Sequence, residues 1–96
     1  MLTRELQHTV NRALEAAVQL RHEYVTLEHL LYALLDEKTG NDVIRNCGGN
    51  ITALKRELEQ FLANNIETLP KRSKVRPDYT AAFERVLERA VLQGQA

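Results

Sequence analysis

The sequence predicts an all-α domain, and three observations carry the prediction. Apolar residues recur at spacings of three and four in four separate stretches, the periodicity of one helical face. No stretch alternates apolar and polar residues with the period of two that a strand requires. Residues suited to helix N-caps (Thr3, Thr26, Asn50 and Asp78) stand at or near the starts of these stretches.

The first helix spans Met1 to about Leu20, with Leu2, Leu6, Val10, Ala13, Leu14, Ala17 and Val18 along one stripe. A tight connection, Arg21–Val25, then carries charge and an aromatic ring into the most apolar helix, where Leu27, Leu30, Leu31, Leu34 and Leu35 share a face. Thr26 caps this helix, and Glu28 lies in its first turn, where the helix dipole favours a negative charge. Residues 36–41 read as a polar turn, followed by a short helix from Asp42 to Asn46 with Val43, Ile44 and Cys47 pointing inward. Gly48 suits the left-handed position that ends a helix. Asn50 caps a fourth helix with the stripe Ile51, Leu54, Leu58, Phe61 and Leu62, and Lys55 and Glu59 are spaced for an ion pair on its outer face. Residues 66–78 have no periodicity, both prolines and the basic run Lys71, Arg72, Lys74 and Arg76, and read as a linker or long surface loop. A last helix opens near Asp78 and runs to about Gln93, with Phe83, Val86, Leu87, Ala90 and Val91 as its stripe. Val10–Val18 and Phe83–Val91 align with identities at Arg12/Arg85, Leu14/Leu87, Glu15/Glu88, Ala17/Ala90 and Val18/Val91, a weak internal repeat.

Composition narrows the function classes. Thirteen basic residues balance 13 acidic ones, so no global field draws the chain to nucleic acid or to a membrane. The lone Cys47 forms no internal disulfide, no signal peptide is visible, and a cytoplasmic location is expected. None of the 4 glycines lies in a phosphate-binding loop. His22, Glu23, Glu28 and His29 are close in sequence and offer one enzymatic reading, a small metal-dependent site. They do not form His-Glu-x-x-His, and the histidines fall on opposite sides of a helix start, so a satisfied or exposed role for each is favoured. Cys47 reads as a small core residue rather than a nucleophile, and the basic run as a solvated loop. No catalytic residue, cofactor or metal is assigned, which leaves binding. On chemistry alone, Glu28 supports the helix dipole and Glu23 solvates a turn.

The elbow changes that reading. Met1-Leu-x-x-Glu5-Leu6 followed by Arg21-His-Glu-Tyr-Val-Thr-Leu-Glu-His-Leu-Leu-x-Ala-Leu-Leu35 resembles the N-terminal domains of ClpA-type Hsp100 unfoldases. Leu54-x-x-Glu57-Leu58-Glu59-x-Phe61 and Phe83-x-Arg85-Val-Leu-x-Arg89-Ala-Val91 fit the same family in order and spacing. The resemblance implies a four-helix repeat over residues 1–65, a linker over 66–78, and over 79–96 the first helix of an incomplete second repeat, all in one compact domain. It implies a non-catalytic domain that docks the adaptor ClpS and contacts substrate polypeptides, within a hexameric ATPase that feeds ClpP. Glu23 and Glu28, with Tyr24 beside them, match the family's adaptor-binding surface. Thr80 matches a position on the same surface, although its neighbours Tyr79 and Ala81 depart from the family pattern. The alternative within the family is a ClpC- or ClpB-type domain that binds other adaptors or unfolded chains through apolar grooves. A second repeat reduced to one helix would leave apolar surface uncovered and favour dimerisation.

Overall fold

The computed structural model describes residues 3–69 and 76–92. Five helices dominate: α1 (Arg4–Gln19), α2 (Leu27–Leu35), α3 (Lys38–Asn46), α4 (Ile51–Asn64) and α5 (Ala81–Leu92). The all-α class is confirmed, with one addition. Two short strands, β1 (Tyr24–Val25) and β2 (Asp78–Tyr79), pair in parallel, placing Tyr24 opposite Asp78 and Val25 opposite Tyr79. Strands this short leave no alternation in the sequence to read.

The caps explain several boundaries. The Thr3 hydroxyl accepts the Leu6 N–H at 3.1 Å, and the Asn50 side chain accepts the Ala53 N–H at 3.0 Å, so α1 and α4 start at their expected caps; Met1 and Leu2, placed in the first helix from sequence, lie outside the described residues. Helix α5 is capped by Thr80, whose hydroxyl accepts the Phe83 N–H at 3.2 Å, and not by Asp78, which lies in β2. Helix α3 begins four residues before the expected Asp42, and part of the predicted turn is helical. Gly40 belongs to that helix because of close approach: a Cβ there would lie 2.4 Å from the Leu34 carbonyl oxygen.

The core cluster is assembled from four elements. Helix α1 supplies Val10, Ala13 and Ala17, β1 supplies Val25, α2 supplies Leu30 and Ala33, and α5 supplies Phe83. Leu6, Leu14, Leu27, Leu34, Tyr79 and Leu87 close around them, and Leu58 and Leu62 of α4 are buried as predicted. Ala13 and Ala17 of α1 are fully buried, so α1 packs through small residues that let a neighbour approach closely. Each large side chain buried here contributes roughly 1.5–3 kcal/mol.

Five expected inward positions face water instead. Val43 is 56% exposed and Cys47 is exposed, because α3 turns only Ile44, and that only partly, toward its neighbours. Val18 is exposed on the last full turn of α1, and Val86 and Val91 are exposed on α5. Only Phe83 of α5 is fully covered, and Leu92 beyond the stripe is 84% exposed. The expected Lys55–Glu59 pair does not form. Lys55 reaches Asp36 at 3.0 Å, and Glu59 accepts the Tyr32 hydroxyl at 3.0 Å, so both link α4 to the α2 region.

The described ends of segment 66–78 also differ from a free surface loop. Thr68 bridges His22 in an antiparallel sense, Pro77 is buried, and Asp78–Tyr79 is the partner strand of the elbow. Lys71, Arg72 and Lys74 lie outside the described residues.

Candidate functional site

The elbow starts where α1 ends. Leu20 is its C-cap, and Arg21 adopts the left-handed conformation with φ 55°. The Arg21 N–H donates to the Val18 carbonyl at 3.0 Å and the His22 N–H to the Ala17 carbonyl at 2.9 Å, the paired bonds of a Schellman end. These bonds reverse the chain and turn His22 inward, where it is 2% exposed.

Two distant segments then grip the elbow backbone. On one side, Glu23 donates its N–H to the Glu67 carbonyl at 2.8 Å, and Leu69 donates to the Arg21 carbonyl at 2.6 Å. On the other, Asp78 donates to the Glu23 carbonyl at 3.1 Å and Thr80 to the Val25 carbonyl at 3.0 Å. Backbone groups satisfied on both sides leave little freedom for the side chains they carry.

The β pleat sorts those side chains. Val25 is fully buried, and its partner Tyr79 stacks at 5.0 Å on the core ring of Phe83. Tyr24, 42% exposed, projects outward beside Asp78. Glu23 and Glu28 are both half-buried, one beside β1 and the other in the first turn of α2. The segment pairing thus brings Glu23, Tyr24 and Thr80 to one end of the molecule, with Glu28 following on the same elbow. Thr80 donates a backbone N–H hydrogen bond to the elbow, and its hydroxyl is already engaged as the cap of α5.

Two acids join this rim that sequence reasoning did not single out. Glu67 and Asp78 both act on Glu23, whose carboxyl is held above its ordinary range. The largest cause is a hydrogen bond between the Glu23 and Glu67 carboxyls, followed by desolvation and the charges of Glu67 and Asp78. The ion pairs found among the described residues, Arg12 with Asp36 and Glu37 and Lys55 with Asp36, all cluster around the C-terminal end of α2. Both added acids come from segment 66–78, where no periodicity marks their partners.

Inside the elbow, the two histidines expected on opposite sides of a helix start meet. His22 Nδ1 and His29 Nε2 are 2.8 Å apart with the rings edge to face, and His29 is fully buried. His29 Nδ1 accepts the Thr26 N–H at 2.9 Å, with the Thr26 hydroxyl also at 2.9 Å. A histidine therefore fills the third helical position of a capping box that usually holds Glu or Gln, a signal readable as Thr26-Leu-Glu-His29. Burial lowers the pKa of both rings, that of His29 to about 4 with the charge of His22 adding; Glu28 pulls it back only slightly. Among the described residues, no group of three or more His, Cys, Asp or Glu is arranged to hold a metal ion. No helix among them is long and apolar enough to cross a membrane.

Comparison with known proteins agrees with this geometry. The family described as "Clp repeat (R) N-terminal domain" matches residues 1–96. The chain is 38% identical over 94 residues to a "ClpA homolog protein" of Fuscovulum blasticum, an alignment covering 95% of this chain and 12% of that protein. It is 32% identical over 63 residues to "Chaperone protein ClpB" of Prochlorococcus marinus, covering 65% of this chain and 7% of that one. The chain thus spans only a small fraction of these relatives. It belongs to the Clp repeat N-terminal domain family.

Proposed function

We propose that this chain is the adaptor-docking N-domain of a ClpA-type Hsp100 unfoldase, and that its partner is ClpS. The observation that carries the reading is the acidic rim of Glu23, Glu67 and Asp78 beside exposed Tyr24, on a backbone braced from both sides. Crowded carboxylates gain from a lysine or arginine brought to them, and an adjacent aromatic ring supplies apolar contact. Glu28 extends the acidic surface along the elbow, and Thr80 lies at its far edge. The domain binds and does not catalyse. Delivery of substrates to ClpP in the cytoplasm, by ATPase modules assembled as a hexamer, belongs to the longer protein. Residues 1–65 act as the first repeat, 66–78 as the linker and 79–96 as the start of the second. The apolar face of α5, around Leu87, Val91 and Leu92, offers a route to self-association.

Calorimetric titration of ClpS tests the docking reading. The double substitution Glu23→Lys and Glu28→Lys is expected to weaken binding by about thirtyfold or more through charge reversal at close range. Unchanged affinity would refute ClpS docking at this elbow.

One observation favours a second reading, a domain of ClpC or ClpB type that takes other adaptors or unfolded chains. Ala16, Leu20, Tyr32, Leu62 and Ala63 line a mainly apolar groove between α1, α2 and α4, with Gln19 and Glu59 also in its wall and none of Glu23, Glu67 or Asp78 among its lining residues. Binding of an unfolded polypeptide that survives the double charge reversal, together with absence of ClpS binding to the unmodified chain, would favour it.

A further inference from the structure

The buried histidines form part of a continuous hydrogen-bonded chain, and the direction of that chain is fixed by its first member. The Thr26 backbone N–H can only donate, so His29 Nδ1 accepts and carries no proton. A neutral His29 then holds its proton on Nε2 and donates it to His22 Nδ1 at 2.8 Å. Neutral His22 in turn holds its proton on Nε2, and the Leu62 backbone carbonyl is the neighbour that favours a proton on this ring. Leu62 lies in the last turn of α4, where carbonyls have no partner within the helix. Two rings thus tie the N-terminal cap of α2 to the end of α1, with the Leu62 carbonyl of α4 beside them. No buried side-chain nitrogen or oxygen among the described residues is left without a partner.

The chain tolerates no additional proton without rearranging. A proton on His29 Nδ1 would face the Thr26 N–H, and a proton on His22 Nδ1 would face the His29 Nε2–H. Each ring is also covalently next to a docking acid: Glu23 follows His22, and Glu28 precedes His29. Other charged groups stand on the elements that pack around the elbow. Arg21 lies on the α1 side, Glu67 on the segment paired to Glu23, Asp78 on β2, and Glu59 on α4 with its carboxylate bonded to Tyr32. Among these neighbours Glu28 acts on His29 directly, and it favours proton uptake.

We propose that the His22–His29 pair is the positioning device of the docking elbow. In its neutral form with both protons on Nε2, it fixes Glu23, Tyr24 and Glu28 relative to one another, and proton uptake by either ring releases them. The consequence for an adaptor rests on the docking reading above; the mechanical statement does not.

The test uses the chain itself. Long-range proton–nitrogen NMR spectra at about pH 7 should show both rings as the Nε2–H tautomer. As the pH falls from about 7 to about 4, exchange of the Glu23–Thr26 amides, corrected for intrinsic rates, should rise about tenfold before that of Leu58–Leu62. Two variants cut single links at neutral pH. His29→Asn keeps an acceptor near the Thr26 N–H but cannot reach His22, and His22→Leu removes the acceptor that faces His29 Nε2. Each should speed elbow exchange about tenfold and flatten its pH dependence, the size expected from losing one ordinary hydrogen bond. A His29 or His22 ring protonated on Nδ1 at neutral pH would overturn the proposal. So would elbow exchange that follows α4 at every pH, which the unmodified chain reports even where a variant fails to fold. Titration of ClpS against the same variants separates the two readings. A loosened elbow with unchanged affinity upholds the positioning role and removes the docking reading, whereas a parallel loss supports both.

Discussion

Helices α1 and α3 close with the same pair of backbone bonds, and the turns that follow them lead to opposite environments. At α3, the Gly48 N–H reaches the Arg45 carbonyl at 3.1 Å and the Gly49 N–H reaches Ile44 at 3.0 Å, matching the bonds that Arg21 and His22 make at α1. The left-handed residue is Gly48 with φ 86° in one turn and Arg21 with φ 55° in the other. After α3 the chain runs through exposed Cys47, Gly48 and Gly49 directly into the next cap. After α1 it enters a buried histidine, two β-type pairings and an acidic rim. A common helix ending thus sets the direction of the chain but does not make a site. The site at the elbow arises from what later segments bring to it.

Acid should separate the two turns most strongly. Burial holds both histidines below their ordinary 6.5, His29 at about 4, so the unfolded chain takes up these protons first. Stability is full above about pH 6.5, falls as the pH drops through that value, and levels off below about 4, with a loss of about 1–3 kcal/mol. Chemical denaturation across this range checks it. His29→Asn should shrink this pH dependence; an unchanged profile would break the link between the elbow and acid sensitivity.

Exchanging the left-handed residues sharpens the comparison at smaller scale. Gly48→Ala should cost about 1 kcal/mol from backbone conformation alone, since an added Cβ would meet no atom within 4 Å. Arg21→Gly should relieve a similar strain and gain only about 0.5 kcal/mol, because glycine also frees the unfolded chain. Thermal unfolding of both variants reads the difference. A loss from Arg21→Gly would mean that the arginine side chain contributes to the elbow beyond its backbone.

Much of the helical frame was legible. The stripes of Val10, Ala13 and Ala17, and of Leu58 and Leu62, follow from spacing, as do the caps Thr3 and Asn50 and the turn at Gly48. Burial failed at helix ends and one-sided helices, where Val18, Val43, Cys47, Val86 and Val91 keep the right period but have too little opposite them. The site was legible only in part. Glu23, Tyr24 and Glu28 stood out through resemblance, whereas Glu67 and Asp78 depend on pairing between remote segments that no local pattern encodes. The histidine pair was half visible: Thr26-Leu-Glu-His29 has capping-box spacing, but the ring that completes it belongs to the previous helix end.

The β1–β2 pairing also bears on how the chain folds. It joins residues more than fifty positions apart, while the α1–α2 and α2–α3 contacts lie between neighbours in sequence. Local contacts form early, and distant ones wait for long loops to close. The elbow is therefore expected to be completed late, after the helices that flank it have met. Substitutions that weaken its pairing, such as at Val25, should mainly speed unfolding and leave the folding limb of a denaturant chevron almost unmoved. A marked slowing of folding would instead place the elbow in the folding nucleus. The proposed docking surface is then expected to be the last part of this chain to assemble.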